Sequence, residues 1–159
     1  MTASRNHAWP DRQHDQQLLI ALTSPEARMP TRNHLGDAGY DLYVSESVVI
    51  WPSEFRDVDC GMRLQLPDGY WARITGRSST LRKRGLLVNE AVIDNGYVGP
   101  IYTGIWNLSR TPVKVAAGER LAQLILHPIV TAPVVRVLDP TELVSRDGRG
   151  DGGFGSTGS

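Results

Sequence analysis

The sequence predicts an all-β fold, a jelly-roll-like β-sandwich or barrel, carrying one short helix. Three observations predict it. Apolar residues recur with period two in short runs, clusters of Gly, Pro, Asn and Asp punctuate those runs, and only one segment carries the signals of a helix end.

Taken in order, the strand candidates are Leu18 to Leu22, Asp41 to Val44 and Val48 to Ile50. The clearest alternation follows, with Val58, Cys60, Met62, Leu64 and Leu66 on one face and a Pro67-Asp68-Gly69 turn at its end. Tyr70 to Thr75, Ile101 to Asn107, Val113 to Val115, Leu121 to Ile129 and Val134 to Leu138 complete the set. A helix of about two turns is expected within the segment Ser78 to Gly85, with hydroxyl caps at its front and Gly at its end. Asn95-Gly96 is the signal of a hairpin turn between two further strands.

A chain of 159 residues makes one domain, large enough to bury roughly 68–70% of the surface its unfolded form exposes. With 17 Lys+Arg against 17 Asp+Glu, no global field recruits nucleic acid or an anionic membrane. An anionic ligand therefore needs a local site. The single cysteine, Cys60, excludes an internal disulfide, and no Cys/His cluster has zinc-ligand spacing. Cys60 is expected in the core. His7, His14, His34 and His127 are scattered, and Trp9, Trp51, Trp71 and Trp106 are expected to pack rather than to stack on bases. The apolar runs are too short to cross a membrane and no signal-peptide segment is present, so a soluble cytoplasmic protein is expected. Residues 1–16 are expected to be a loose tail, 17–148 the β domain, and 149–159 a mobile arm.

Four constellations carry candidate chemistry. Gly76-Arg77-Ser78-Ser79 opens the helix, where free amides, a guanidinium and two hydroxyls suit a phosphate, although the same residues suit an ordinary helix start. Asp94-Asn95-Gly96-Tyr97 holds a carboxylate, a potential general base, and a ring beside a tight turn; a turn cap and a surface Tyr are the plainer alternative. Gln123 is a polar residue within the apolar run Leu121 to Ile125, and a buried amide needs partners. The last eleven residues, Arg149 to Ser159, hold five Gly with Arg149, Phe154, Ser156 and Thr157, the parts needed to close over a nucleotide.

In this order, the segments resemble the five motifs of the trimeric dUTPase family. They are Asp37-Ala38-Gly39-Tyr40-Asp41-Leu42, Arg77-Ser78-Ser79, Ala91-Val92-Ile93-Asp94-Asn95-Gly96-Tyr97, Glu119-Arg120-Leu121-Ala122-Gln123-Leu124 and Arg149 to Gly158. The resemblance covers the chain from about Leu18 to its end. It implies the trimeric dUTPase type of jelly roll and hydrolysis of dUTP to dUMP and pyrophosphate. That reaction limits uracil incorporation into DNA and supplies dUMP for dTMP synthesis.

Residue by residue, it implies that Asp94 activates the water attacking the α-phosphorus and that Tyr97 lies against the deoxyribose. Arg77, Ser78 and Ser79 would hold the α- and β-phosphates, Gln123 and Asp41 would order waters, and Asn89 with the backbone of the Asn89 to Tyr102 hairpin would read uracil. Arg149, Ser156 and Thr157 would grip the γ-phosphate and Phe154 would cover the base. Mg²⁺ would be held by the phosphates and water, with no protein ligand, in a homotrimer with shared sites.

The chain departs from the family at Ser79 and Ala91, each where Gly is usual, and in a shorter loop from Gly85 to Asp94. A dCTP deaminase, the nearest enzymatic rival, needs a carboxylate in the strand that here reads Pro100 to Asn107, which has none. A regulatory module that only binds nucleotide is the rival from another class, disfavoured by the full set of catalytic positions.

Overall fold

The computed structural model describes residues 16–148 and 150. Ten strands and one α-helix follow in the order β1 (Leu19–Leu22), β2 (Gly39–Tyr43), β3 (Val48–Ile50), β4 (Phe55–Gln65), β5 (Tyr70–Gly76), α1 (Ser78–Arg84), β6 (Leu86–Val88), β7 (Ala91–Ile93), β8 (Pro100–Asn107), β9 (Val113–Val115) and β10 (Arg120–Pro128). They build two four-stranded antiparallel sheets, β1-β4-β8-β6 and β2-β10-β5-β7, and a small β3-β9 pair. The all-β, jelly-roll type of fold with one short helix is the one expected.

The period-two pattern does the folding work. Along β4, Val58, Cys60, Met62 and Leu64 turn inward, and along β8 so do Ile101, Thr103, Ile105 and Asn107. One core cluster, with Met62, Leu64, Ile74, Ile101 and Leu124, fills the space between the large sheets. A second, with Ile50, Val58, Leu86, Ile105 and Val115, lies under the β3-β9 pair. Each such side chain contributes roughly 1.5–3 kcal/mol.

Strand β4 serves two partners. It pairs with β8 through Phe55 to Asp59 and again at Arg63, and on its other side with β1 through Met62 to Gln65; the register against β8 shifts between Asp59 and Arg63, around Gly61, whose φ is 63°. A Cβ there would also sit 2.7 Å from both Ser24 Oγ and Ser45 Cβ.

Asn107 is fully buried at the end of β8. Its Nδ2 donates to the Ile50 and Thr111 carbonyls at 2.8 and 2.9 Å, and its Oδ1 accepts from the Ser109 amide and hydroxyl. Cys60 is in the core as expected. Burial pushes its thiol up to about 11, partly offset by its hydrogen bond with Thr103 and reinforced by the neighbouring Asp59 carboxylate.

Three expectations need correction. Asn95-Gly96 is a turn, with Tyr97 N donating to Asp94 O at 3.1 Å, yet it does not close a hairpin: β7 pairs with β5, whereas β8 pairs with β4 and β6. Positive φ falls on Gly96 alone, 91°, as in a type II turn, whereas a type I′ hairpin needs it at both central residues. Second, Val134 to Leu138 forms no strand; no ladder among the described residues pairs with it, and Val134, Val135 and Leu138 are exposed. Third, no hydroxyl caps α1. Its N-cap is Arg77, extended at φ −73° and ψ 148°, and Ser78 and Ser79 are its first two helical residues.

The chain divides into two compact units, the first ending at Ile129 and the second starting at Val130. Among the described residues of the second, one 3-10 turn, Pro140–Glu142, is capped by Asp139. The Thr141 amide and hydroxyl hold that carboxyl below its usual range.

Candidate active site

The C-terminal end of β5 runs straight into α1, and β10 lies beside it with β2 beyond. In this register Gln123 stands between Thr75 of β5 and Asp41 of β2. The turn into the helix is pinned to β10 by Arg77 N and Thr80 Oγ1, both donating to Leu121 O, at 3.2 and 2.7 Å. A polar groove of about 270 Å³ results, lined by Thr31, Asn33, Asp37, Ala38, Gly39, Asp41, Arg77, Ser78, Ser79 and Gln123.

Asp41 organises its electrostatics. One carboxylate oxygen is 2.7 Å from Arg77 Nε and the other 3.0 Å from Arg120 Nη1, with the Asp41 side chain only 14% exposed. Arg77 Nη1 also donates to the Arg120 carbonyl at 3.3 Å. Two guanidinium groups thus share one carboxylate, and Arg77 Nη2 has no acceptor among the described residues. The plane of the Arg77 fork is set while a donor remains for an incoming oxyanion. Asp37 is occupied elsewhere on the rim, its Oδ2 accepting from the Asn33 and His34 amides.

Gln123 finds the partner that a polar residue in an apolar strand requires. Its Nε2 donates to Gly76 O at 3.2 Å, and its Oε1 lies over Gly39, where a Cβ would come within 2.7 Å of it. The hydroxyls of Ser78 and Ser79 complete the lining. Five of the residues singled out in the sequence, Asp41, Arg77, Ser78, Ser79 and Gln123, therefore converge here.

Asp94 and Tyr97 do not. Strand β7 pairs Ile93 with Ala72, which puts Asp94 beside Trp71 at the opposite end of β5 from Arg77. At about 3.3 Å per residue the two lie about 20 Å apart along the strand. The turn is braced from below, because Asn95 Nδ2 donates to the Pro67 and Tyr70 carbonyls, both at 2.9 Å. Asp94 is exposed, and Tyr97 is 41% exposed with its hydroxyl on Pro100 O. Asn89 is exposed between β6 and β7; its amide donates to Gly104 O at 2.8 Å and its side chain to Glu90 O. Arg149, Phe154, Ser156 and Thr157 lie outside the described residues.

Sequence reasoning missed the parts of Arg120, Gly39 and Asn95. For Arg120 a signal existed, a cation at the first position of a largely apolar strand; for the other two the partner is remote in sequence.

Residues 25–158 match the family model dUTPase. The chain is 44% identical over 142 residues to the deoxyuridine 5'-triphosphate nucleotidohydrolase of Yarrowia lipolytica, covering 89% of this chain and 88% of that one. Among solved structures it resembles a mutant of the Staphylococcus bacteriophage 80alpha dUTPase with dUpNHpp, at a TM-score of 0.80 and 32% identity, covering 90% of this chain and 99% of that one. It also resembles a mutant dUTPase from phage phi11 of S. aureus that coordinates a structural Mg(II) ion, at a TM-score of 0.73 and 30% identity, covering 77% of this chain and 97% of that one.

Proposed function

The chain belongs to the dUTPase family, enzymes that hydrolyse dUTP to dUMP and pyrophosphate, and we propose that it does so at sites assembled from the two ends of β5. The observation that carries this reading is the groove in which Asp41 holds Arg77 and Arg120 beside Ser78, Ser79 and Gln123. Cations and hydroxyls there suit the α- and β-phosphates, and Asp41 acts by fixing the Arg77 fork. Gln123 orders water between its amide and the phosphates.

At the other end Asp94, exposed and held by a braced turn, is the base that takes a proton from the water attacking the α-phosphorus. Tyr97 lies against the deoxyribose and leaves no room for a 2′-hydroxyl, and Asn89 sits near the uracil. Arg149, Ser156 and Thr157 of the 149–159 arm hold the γ-phosphate and Phe154 covers the base. The β domain of 17–148 carries the rest, with 1–16 as a tail.

A separation of about 20 Å along one strand keeps Asp94 and Arg77 of one chain from serving one nucleotide. Each site then takes its phosphate groove from one subunit and its Asp94 turn from another, which fits a homotrimer. The groove offers guanidinium, hydroxyl and amide groups, and both oxygens of Asp41 are already engaged. Such a set suits a Mg²⁺ ion carried by the triphosphate and water, which when bound neutralises phosphate charge. No helix among the described residues is long and apolar enough to cross a membrane; the enzyme is read as cytoplasmic on the sequence expectation.

The deciding experiment offers dUTP, dCTP, dTTP and UTP with Mg²⁺ and assays pyrophosphate and ammonia. Pyrophosphate from dUTP, with little from the others, is expected; ammonia from dCTP, or no turnover, overturns the reading. Mixing a chain carrying Asp94→Asn with one lacking residues 149–159 should restore activity, and a monomeric mass by light scattering removes the shared site.

A further inference from the structure

We infer that Gly99 and the Pro100 carbonyl form the seat of the Tyr97 ring, and that they are positioning groups for discrimination against a 2′-hydroxyl. The inference rests on the proposed contact of Tyr97 with the sugar. The backbone of Tyr97 is already fixed from two sides, by its amide on Asp94 O at 3.1 Å and by the Asn95 amide on Pro67 O and Tyr70 O. What remains free is the side chain. Its hydroxyl donates to Pro100 O at 2.9 Å, a bond across three residues that closes only when the ring folds back over the chain between.

The residue under the ring is Gly99. A Cβ there would fall 2.4 Å from the Tyr97 hydroxyl oxygen, 2.5 Å from Cζ and 2.8 Å from Cε2, far inside the 3.5–4.0 Å at which carbon atoms attract. Because those atoms end a side chain with two rotatable bonds, alanine at 99 would evict the ring rather than disrupt the fold. Steric exclusion of one oxygen works only against a wall that does not yield. With its hydroxyl tied and its ring set on bare backbone, Tyr97 is such a wall, and its exposed remainder is free for a ligand.

The test measures kcat/KM for dUTP and for UTP in the trimeric enzyme as wild type, Gly99→Ala, Tyr97→Phe, Tyr97→Ala and the Gly99→Ala/Tyr97→Ala double variant. The dUTP/UTP ratio should fall by about tenfold or more in Gly99→Ala, the scale of a misplaced methyl-sized group, and by a smaller factor in Tyr97→Phe. The double variant should match Tyr97→Ala alone. If Tyr97→Ala leaves the ratio intact, the sugar contact falls and this inference with it. If Tyr97→Ala lowers the ratio but Gly99→Ala does not, or lowers it again on top of Tyr97→Ala, the seat alone is refuted. Should Gly99→Ala fail to fold, an unchanged ratio in Tyr97→Phe refutes the hydroxyl tie, and a lowered one supports it.

Discussion

The two ends of β5 hold the side chains proposed for phosphate binding and for proton abstraction by different means. At the Arg77 end, side chains hold side chains: Asp41 sets Arg77 and Arg120, and the bare Gly39 backbone makes room for Gln123. At the Asp94 end, the backbone is held and the carboxylate projects freely from a turn anchored through Asn95. A phosphate cradle must keep several like charges together before its ligand arrives, which requires a counter-ion within the protein. A base needs only a fixed position and an unencumbered oxygen.

This contrast predicts that chemistry and stability separate at one end and are entangled at the other. The largest effect is expected from Asp94→Asn, which should lower kcat by about 10²–10⁴, the usual worth of a general base. It should leave the melting temperature and the binding of a non-hydrolysable dUTP analogue unchanged. Strong residual turnover would place the base elsewhere. Asp41→Asn should lower kcat/KM by roughly a hundredfold and also the melting temperature, because it leaves two partly exposed guanidinium groups facing each other without their shared carboxylate, a loss of about 1–3 kcal/mol. An unchanged melting curve would show that the clamp is not a structural element.

Gly39→Ala should displace the Gln123 amide and reduce kcat by about tenfold, the worth of one well-placed hydrogen bond of about 1.4 kcal/mol, with the fold retained. A crystal structure of that variant with Gln123 unmoved would refute the mechanism. Asn95→Ala removes two hydrogen bonds each worth about 1 kcal/mol net. It should reduce turnover by only a few-fold and do nothing in an Asp94→Asn background.

The smallest effect lies away from both ends. The Cys60 thiol is raised from 9.0 to about 11 by burial, so the unfolded chain ionises first as pH rises. Its contribution to stability is full below pH 9 and lost between 9 and about 11. The stability difference between wild type and Cys60→Val should be flat at neutral pH and change only in that alkaline window.

Much of this was legible from residue order alone. Alternation located the long strands, because every second side chain of β4 and β8 must find the core. Strands β6 and β7, three residues each, escaped that reading as separate elements, although β3 and β9, which are equally short, were located. Val134 to Leu138 has strand composition without a strand to pair with. The Asn95-Gly96 pair announced a turn correctly, but which sheets the flanking strands join is decided by tertiary partners. In the candidate site, residue type and motif order singled out Arg77, Ser78, Ser79, Asp41 and Gln123, which the fold brings into one groove, and Asp94 and Tyr97, which it leaves at the other end of β5. The seats of those side chains were not legible. Gly39 lies under Gln123 and Asn95 reaches back to Pro67, and such pairs become neighbours only once the sheet has formed.

Asn107 also bears on how the chain avoids wrong structures. Its amide has every donor and acceptor engaged, by Ile50, Thr111 and Ser109, at a point with no access to solvent. A misaligned β8 could still bury hydrophobic side chains, since Ile101 and Ile105 are interchangeable aliphatics, but it would strand this amide in an apolar interior at a cost of about 1–3 kcal/mol. The residue thus acts as a proofreader: it adds little to the attraction that collapses the chain, and it penalises the near misses that attraction alone would tolerate.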